Sequence, residues 1–553
     1  MTRSPVLRTG PGRLFGALAP ALLLAACSDT TKPGTDGNAT DVTLAAAQYS
    51  LYSGSQVPGT LRFPAAASGA QYLVVAQFAS GTPDLHGTFS LANRLAGPVA
   101  AVAGPAAASL AAAPGTAAGA FHDRLRALEA KMAETSRAAA ARRAAPPVSR
   151  APAQIVPPIL NAKKSFKVCG NLNCDQLKTV TATAKYVGAH AAIFVDDSSP
   201  AGGFGASDLN SIGQQFDADL YGIDRAAFGA ESDIDSNGVV LILLTPKVNA
   251  LVGKPDCQTS YVTGFFFGAD IDPTFRAQYN NGEVFYGMVP DSLGSVSCAY
   301  STALVRQLIT VTFIHEFQHM ISFNQHVLLR GGSTEILWLN EALSHLAEEL
   351  GGRHYDSLGQ TATASAFLIG DLYNGGLYLE DPTAQAMVTD STPGDLAQRG
   401  GEWLFVRYLT DRFGASTPHG LVNTALRGDA NVASATGTAF ATLLGRWALA
   451  VWTSDLPGFT APADLRYENW HFRSTYQSLH SQRPADFPRA FPLVPATASP
   501  GAVAVSGTLR SGSGSYLLVT QAAGAPSFTV SLEPGGVAFP SGASPQLAVV
   551  RIQ

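Results

Sequence analysis

His315-Glu316-Phe317-Gln318-His319 constrains this chain of 553 residues more than any other stretch. Two histidines at i and i+4 fall on one face of a helix, so both imidazoles reach a single metal ion. The glutamate between them then lies beside that ion, placed to take a proton from a zinc-bound water. The context predicts a helix, because Leu304, Leu308, Val311, Ile314 and Phe317 recur at three- and four-residue steps and form an apolar face beside the histidines.

Residues 336–350, ILWLNEALSHLAEEL, predict a second amphipathic helix with Asn340-Glu341 near its start. The 21 residues between His319 and Glu341 are enough to finish one helix, turn, and bring another back past the metal. His315, His319 and Glu341 as ligands leave the fourth tetrahedral position of Zn²⁺ open, as a catalytic site requires. Glu348 is the rival third ligand. The alternative H-E-x-x-H-x-x-G-x-x-H pattern is excluded, since Ser322 and Gln325 stand where its glycine and histidine belong and His326 is one residue out of register.

The pairing of HEFQHMI with a WLNEALSHLAEE helix resembles the gluzincin metallopeptidases, most of all the hyicolysin family of bacterial neutral zinc metallopeptidases. The resemblance covers roughly residues 160–480. It implies an α+β, zincin-like catalytic domain, in which a mixed sheet precedes a helical subdomain carrying the H-E-x-x-H helix. It also implies Zn²⁺ held by His315, His319 and Glu341, with Glu316 as general base and acid in peptide-bond hydrolysis. One departure stands out. Thermolysin-like gluzincins place an aspartate four residues after the ligand glutamate to orient a zinc-bound histidine, and here that slot is His345. Another group must then orient the ring, and Glu348 is a candidate. The oxyanion donor is open among Tyr373, Tyr378, Tyr408 and His419.

The N-terminus predicts export. Arg3, Arg8 and Arg13 precede an apolar run from Leu14 to Ala26, too short to span a bilayer, followed by Cys27. Leu24-Ala25-Ala26-Cys27 resembles the lipobox of bacterial lipoproteins, which implies lipidation of Cys27, attachment to the membrane through that anchor, and residence at the cell envelope or outer surface. Ser28 after the cysteine resembles the pattern for outer-membrane or surface delivery. Only 14% of residues are charged and the net charge is −5, so nothing resembles a nucleic-acid footprint. Without Cys27 four cysteines remain, an even number that favours two disulfides in an exported protein. Cys169 with Cys174 and Cys257 with Cys298 are the pairings expected, each within one segment.

The expected organisation is a signal peptide at 1–26, a polar tether at 27–40, a β-rich module at 41–95, and an Ala/Pro-rich linker at 96–160. The metallopeptidase domain at 161–485 and a C-terminal β-rich module at 486–553 follow. The linker's middle carries Phe121, Leu125, Leu128 and Met132 on one helical stripe and reads as a solvated amphipathic helix, with a removable pro-segment as the alternative. Gly59-Thr60-Leu61-Arg62 and Gly507-Thr508-Leu509-Arg510 each precede a β-like run, at Tyr72–Gln77 and Tyr516–Gln521. This hints at related β-sandwich segments flanking the catalytic domain, or at one sandwich sharing strands from both ends. Ala191–Val195 and Val239–Leu244 read as buried strands, and Phe285–Val289 as the edge strand that pairs with extended substrate. Asp233-Ile234-Asp235-Ser236-Asn237-Gly238 copies the start of a calcium loop, but Leu244 replaces the glutamate at its twelfth position, so a turn is expected there.

Two functions follow as expectations. The first is a surface-anchored zinc endopeptidase acting on protein or peptide substrates. The second is a lipoprotein whose metallopeptidase-like domain serves adhesion or binding. The intact Glu316 favours the enzyme, because a binding protein has no use for a proton acceptor.

Overall fold

Strands from the two ends of the chain interleave. In this computed structural model, which describes residues 39–54, 59–93, 117–142, 155–254, 256–390 and 395–553, the N-terminal segment supplies five strands. They are β1 (Ala39–Asp41), β2 (Tyr49–Ser53), β3 (Gly59–Phe63), β4 (Ala70–Phe78) and β5 (His86–Ala92). Five more come from the C-terminus: β12 (Ala496–Ala498), β13 (Ala504–Arg510), β14 (Gly514–Gln521), β15 (Phe528–Pro534) and β16 (Pro545–Arg551). They assort into two five-stranded sheets, ordered β1-β3-β15-β5-β13 and β12-β14-β4-β16-β2. The segments expected as separate modules at 41–95 and 486–553 are therefore two halves of one sandwich. The repeated tetrapeptides lie on β3 and β13 of one sheet, and the runs after them, β4 and β14, are neighbours in the other, with Leu517 opposite Val74.

Alternation along β4 explains its placement. Tyr72, Val74 and Ala76 face the sandwich interior, while Leu73 and Val75 join the core of the central domain, so the strand is buried on both faces. Such a strand reads as an unbroken apolar run, as YLVVA does.

The central domain opens with a six-stranded sheet of β6 (Lys163–Cys169), β7 (Leu177–Val187), β8 (Ala191–Asp196), β9 (Val240–Leu244), β10 (Gly264–Phe266) and β11 (Val284–Gly287). Its order is β10-β11-β9-β8-β7-β6, with β11, β9 and β8 mutually parallel and the rest antiparallel. The Phe285 segment is thus interior. The short β10 pairs antiparallel along β11 and takes the edge position that the sequence suggests for Phe285–Val289. The run Gly264-Phe265-Phe266 is brief and lacks alternation, which hid it in the sequence. The architecture is a mixed α and β fold.

Helices follow the sheet. We number α1 (Ala117–Arg142), α2 (Thr302–Phe323), α3 (Leu337–Ser357), α4 (Thr361–Glu380), α5 (Leu396–Phe413) and α6 (Phe440–Thr453). Ser301 caps α2, its Oγ accepting from Leu304 N at 3.2 Å, and Asp395 caps α5 through Ala397 N at 2.7 Å. The single apolar face expected on α2 is not what forms. Val305, Ile309, Phe313 and Phe317 are fully buried, whereas Leu304 is 39% exposed and Leu308 and Val311 line a cleft. The helix lies between the sheet and other helices, so it is apolar almost all round.

The largest correction concerns α1. It is not a solvated linker helix: Phe121 and Leu125 are fully buried, and Arg126 and Glu129 are nearly so. Arg126 Nη2 donates to Phe266 O at 2.6 Å and Glu129 Oε1 accepts from Gly268 N at 2.6 Å, so α1 lies along the edge strand. Cys169 is joined to Cys174 and Cys257 to Cys298. Residues 1–26, Cys27 and nearly all of the tether lie outside the described residues. No helix among the described residues is long and apolar enough to cross a membrane.

Candidate metal centre

One helical turn separates His315 from His319 on α2, and their Nε2 atoms are 3.2 Å apart. The antiparallel return through α3 brings Glu341 to them. Its Oε2 is 3.6 Å from His315 Nε2 and its Oε1 is 3.7 Å from His319 Nε2. Ligand atoms around a tetrahedral zinc, each at about 2.0–2.1 Å, stand about 3.3 Å from one another. The three separations thus suit three ligands of a single ion. A further observation concerns Glu341 Oε1, which is buried without a hydrogen-bond partner. Leaving such an oxygen unsatisfied costs about 1–3 kcal/mol or more, and an ion at the centre of the three groups would relieve it. The donor set of two imidazoles and a carboxylate fits Zn²⁺.

His315, His345 and Glu348 also lie close enough to be grouped around an ion. Glu348 Oε1, however, is 2.7 Å from His315 Nδ1, a hydrogen bond on the ring nitrogen that faces away from His319 and Glu341. Glu348 therefore sits where it orients the His315 ring. His319 Nδ1 is met by Asn340 Oδ1 and Ser344 Oγ, each at 3.1 Å. His345, in the slot of the missing aspartate, contacts Asp371 Oδ1 at 2.8 Å and Glu348 Oε1 at 3.3 Å. Burial opposes charge on His345, but these two carboxylates outweigh it and raise its pKa well above the ordinary value. His319 is the reverse case. Burial and the nearby Arg126 and His315 push its pKa well down, which favours the neutral form that a metal needs.

Glu316 is 1% exposed, and its Oε2 accepts from Phe266 N at 2.7 Å. Burial raises its pKa, with His315, Arg126 and the Phe266 N–H pulling it back. The cleft over these residues has a volume of about 480 Å³ and is bounded by His122, Tyr261, Leu308, Val311, Ile369 and Arg399.

No protein-family model matches the chain. Part of it is similar to the neutral metalloprotease ShpI of Staphylococcus hyicus, which is 29% identical over 196 residues. That stretch is 34% of this chain and 40% of the relative, so the chain spans well under half of the relative's length. A neutral metalloprotease is therefore a distant homologue.

Sequence reasoning missed three groups at the site. Arg399 on α5 lies 2.6 Å from Glu341 Oε2 and pairs with Asp123 of α1 at 2.5 Å. His122, also from α1, has its Nδ1 3.9 Å from Glu316 Oε1. Tyr261 borders the cleft from the loop before β10. None belongs to a local motif. The hydroxyl and imidazole groups named from the sequence as oxyanion donors are elsewhere: Tyr378 bonds Ser513, Tyr408 bonds Asp464 O, Tyr373 stacks edge-on against Phe487, and His419 is exposed. His326 is buried near Glu335, at 3.9 Å, outside the group of His315, His319 and Glu341.

Proposed function

We propose that this chain is a zinc-dependent endopeptidase, exported and lipid-anchored through Cys27, that hydrolyses peptide bonds in extracellular or envelope proteins. The observation that carries the reading is the convergence of His315 Nε2, His319 Nε2 and Glu341 on one point, with the Glu316 carboxylate beside it. The distant homologue named a neutral metalloprotease supports it. Zn²⁺, when bound, supplies positive charge that polarises the scissile carbonyl and acidifies water. His315, His319 and Glu341 would hold the ion. Glu348 and Asn340 fix the two rings, and burial keeps His319 neutral.

Glu316 takes a proton from the attacking water and returns it to the leaving amine. A carboxyl with a raised pKa is a better proton acceptor near neutrality than an ordinary one. Phe266 N holds Glu316 Oε2 in position, and Oε1, which has His122 Nδ1 at 3.9 Å, is the oxygen assigned to that transfer. Leu308, Val311 and Ile369 offer an apolar surface for a substrate side chain.

The test uses the purified full chain with an unstructured protein as substrate, with and without a zinc chelator, and fragments identified by mass spectrometry. Cleavage should stop with chelator and return with Zn²⁺. Glu316→Gln should cut the rate by about 10²–10⁴-fold or more while metal content is unchanged, because an amide cannot accept the proton. Full activity in that variant, free of contaminating protease, would remove the mechanism.

A further inference from the structure

A second cluster of carboxylates, outside the lining of the cleft, gathers Asp233, Asp235 and Glu283. Asp233, Asp235 and Asn237 follow the spacing of the first half of a calcium loop, with Gly238 at the position where such loops turn. The backbone agrees, since Ser236 and Gly238 have φ of 55° and 71°. Asp233 Oδ1 accepts from Asn237 N and Gly238 N at 3.0 and 3.2 Å, which curls the loop around its own carboxylates. A continuous loop would close with an acidic residue at 244, and that residue is a leucine buried in β9.

The fold supplies the missing carboxylate from elsewhere. Glu283 sits immediately before β11, which runs parallel to β9, and Leu241 N donates to Glu283 O at 2.7 Å. One oxygen from each of Asp233, Asp235 and Glu283 lies within 4.8 Å of the others. Oxygens on opposite sides of a calcium ion, each at about 2.4 Å, are about 4.8 Å apart, so the three fit inside one coordination sphere. Glu283 is 1% exposed. Its Oε1 accepts from Ser232 Oγ and Ile234 N, at 2.5 and 2.9 Å, while its Oε2 is buried with no partner. Gly282 leaves the room: a Cβ there would come within 2.7 Å of Asp235 Oδ2.

We propose that Asp233, Asp235 and Glu283 bind a calcium ion that ties the entry of β9 to the entry of β11. The donor set is all oxygen, which selects a hard cation over zinc. Ligands from a short loop and a distant strand end make a site that tolerates calcium's variable geometry better than the strict octahedron of magnesium. Lys164 Nζ, 3.8 Å from Asp235 Oδ2, is half-exposed and can swing aside when the ion takes over that carboxylate. Burial raises the pKa of both Asp235 and Glu283; Lys164 and Asn237 pull the first back, Ser232 and the Ile234 N–H the second, and a neighbouring carboxylate adds a smaller upward push to each. The ion would stabilise the sheet that carries β10 and β11 beside α2, and it does not depend on the zinc reading.

Calorimetric titration of CaCl₂ into the calcium-stripped, zinc-loaded full chain tests this. One calcium should bind per chain and raise the thermal midpoint by several degrees, with MgCl₂ much weaker. Asp233→Asn and Glu283→Gln should each lose the binding and the shift while keeping their zinc. Asp233 is exposed, so its variant folds even if the buried Glu283→Gln does not. No calcium-dependent heat or shift in the unaltered chain, or the same binding in Asp233→Asn, would overturn the site. Equal binding of magnesium would overturn the assignment to calcium.

Discussion

Glu341 and Glu348 differ by which side of an imidazole they meet. Both lie on α3, both are buried, and their spacing alone could not separate them as ligands. His315 separates them, since its Nε2 faces His319 and Glu341 while its Nδ1 is held by Glu348. The histidine pair was legible because i and i+4 are fixed by helix geometry within five residues. The placing of Glu341 depends on how α3 returns beside α2, and that of Arg399 on how α5 returns beside α3, which no local pattern encodes. We therefore expect Glu341→Ala to purify with its zinc lost, and Glu348→Ala to keep the metal at an affinity reduced by about 10- to 100-fold, the usual cost of losing a group that orients a ligand. Metal analysis after dialysis decides it. A metal-free Glu348→Ala alongside a loaded Glu341→Ala would reverse the two roles.

At the scale of elements, α1 shows what periodicity can and cannot say. Its stripe of Phe121, Leu125, Leu128 and Met132 was readable, and all four do pack inward. What it packs on was not readable, because Phe265, Phe266 and Gly268 lie some 140 residues downstream and the flanking Ala/Pro-rich composition pointed to a linker. The same distance hid β10 as the edge strand. If α1 is an integral wall of the cleft, truncating its central anchor should cost as much as a core mutation. Phe121→Ala should lower the free energy of unfolding by about 3–5 kcal/mol. Glu134→Ala, on the exposed side of the same helix, should stay within about 0.5 kcal/mol. Denaturant titrations of the two variants measure this, and a Phe121→Ala change as small as that of Glu134→Ala would return α1 to the status of a solvated linker.

For the whole molecule, the sandwich couples the two ends of the chain through strands that cannot be removed singly. In its inner sheet β4 has β14 on one side and β16 on the other, and a buried Gln77–Gln546 hydrogen bond of 2.7 Å ties β4 to β16. The short matching tetrapeptides marked equivalent strands, but pairing across more than 400 residues leaves no periodic trace, so one sandwich and two modules looked alike in the sequence. Ending the chain at residue 495 removes β12 to β16. It takes Leu517, Val519, Val530, Leu532, Leu547 and Val549, all fully buried, out of the sandwich core. At about 1.5–3 kcal/mol for each large apolar side chain the loss is on the order of 10 kcal/mol, as large as the net stability of a typical domain. It would also bare Tyr72, Val74 and Ala76 on β4, the strand whose Leu73 and Val75 belong to the core of the central domain. We expect the truncated chain to be recovered insoluble, or soluble but rapidly degraded, with the zinc site lost together with the sandwich. A soluble chain ending at 495 that keeps its zinc and its thermal midpoint would mean that the central domain stands without its β sandwich.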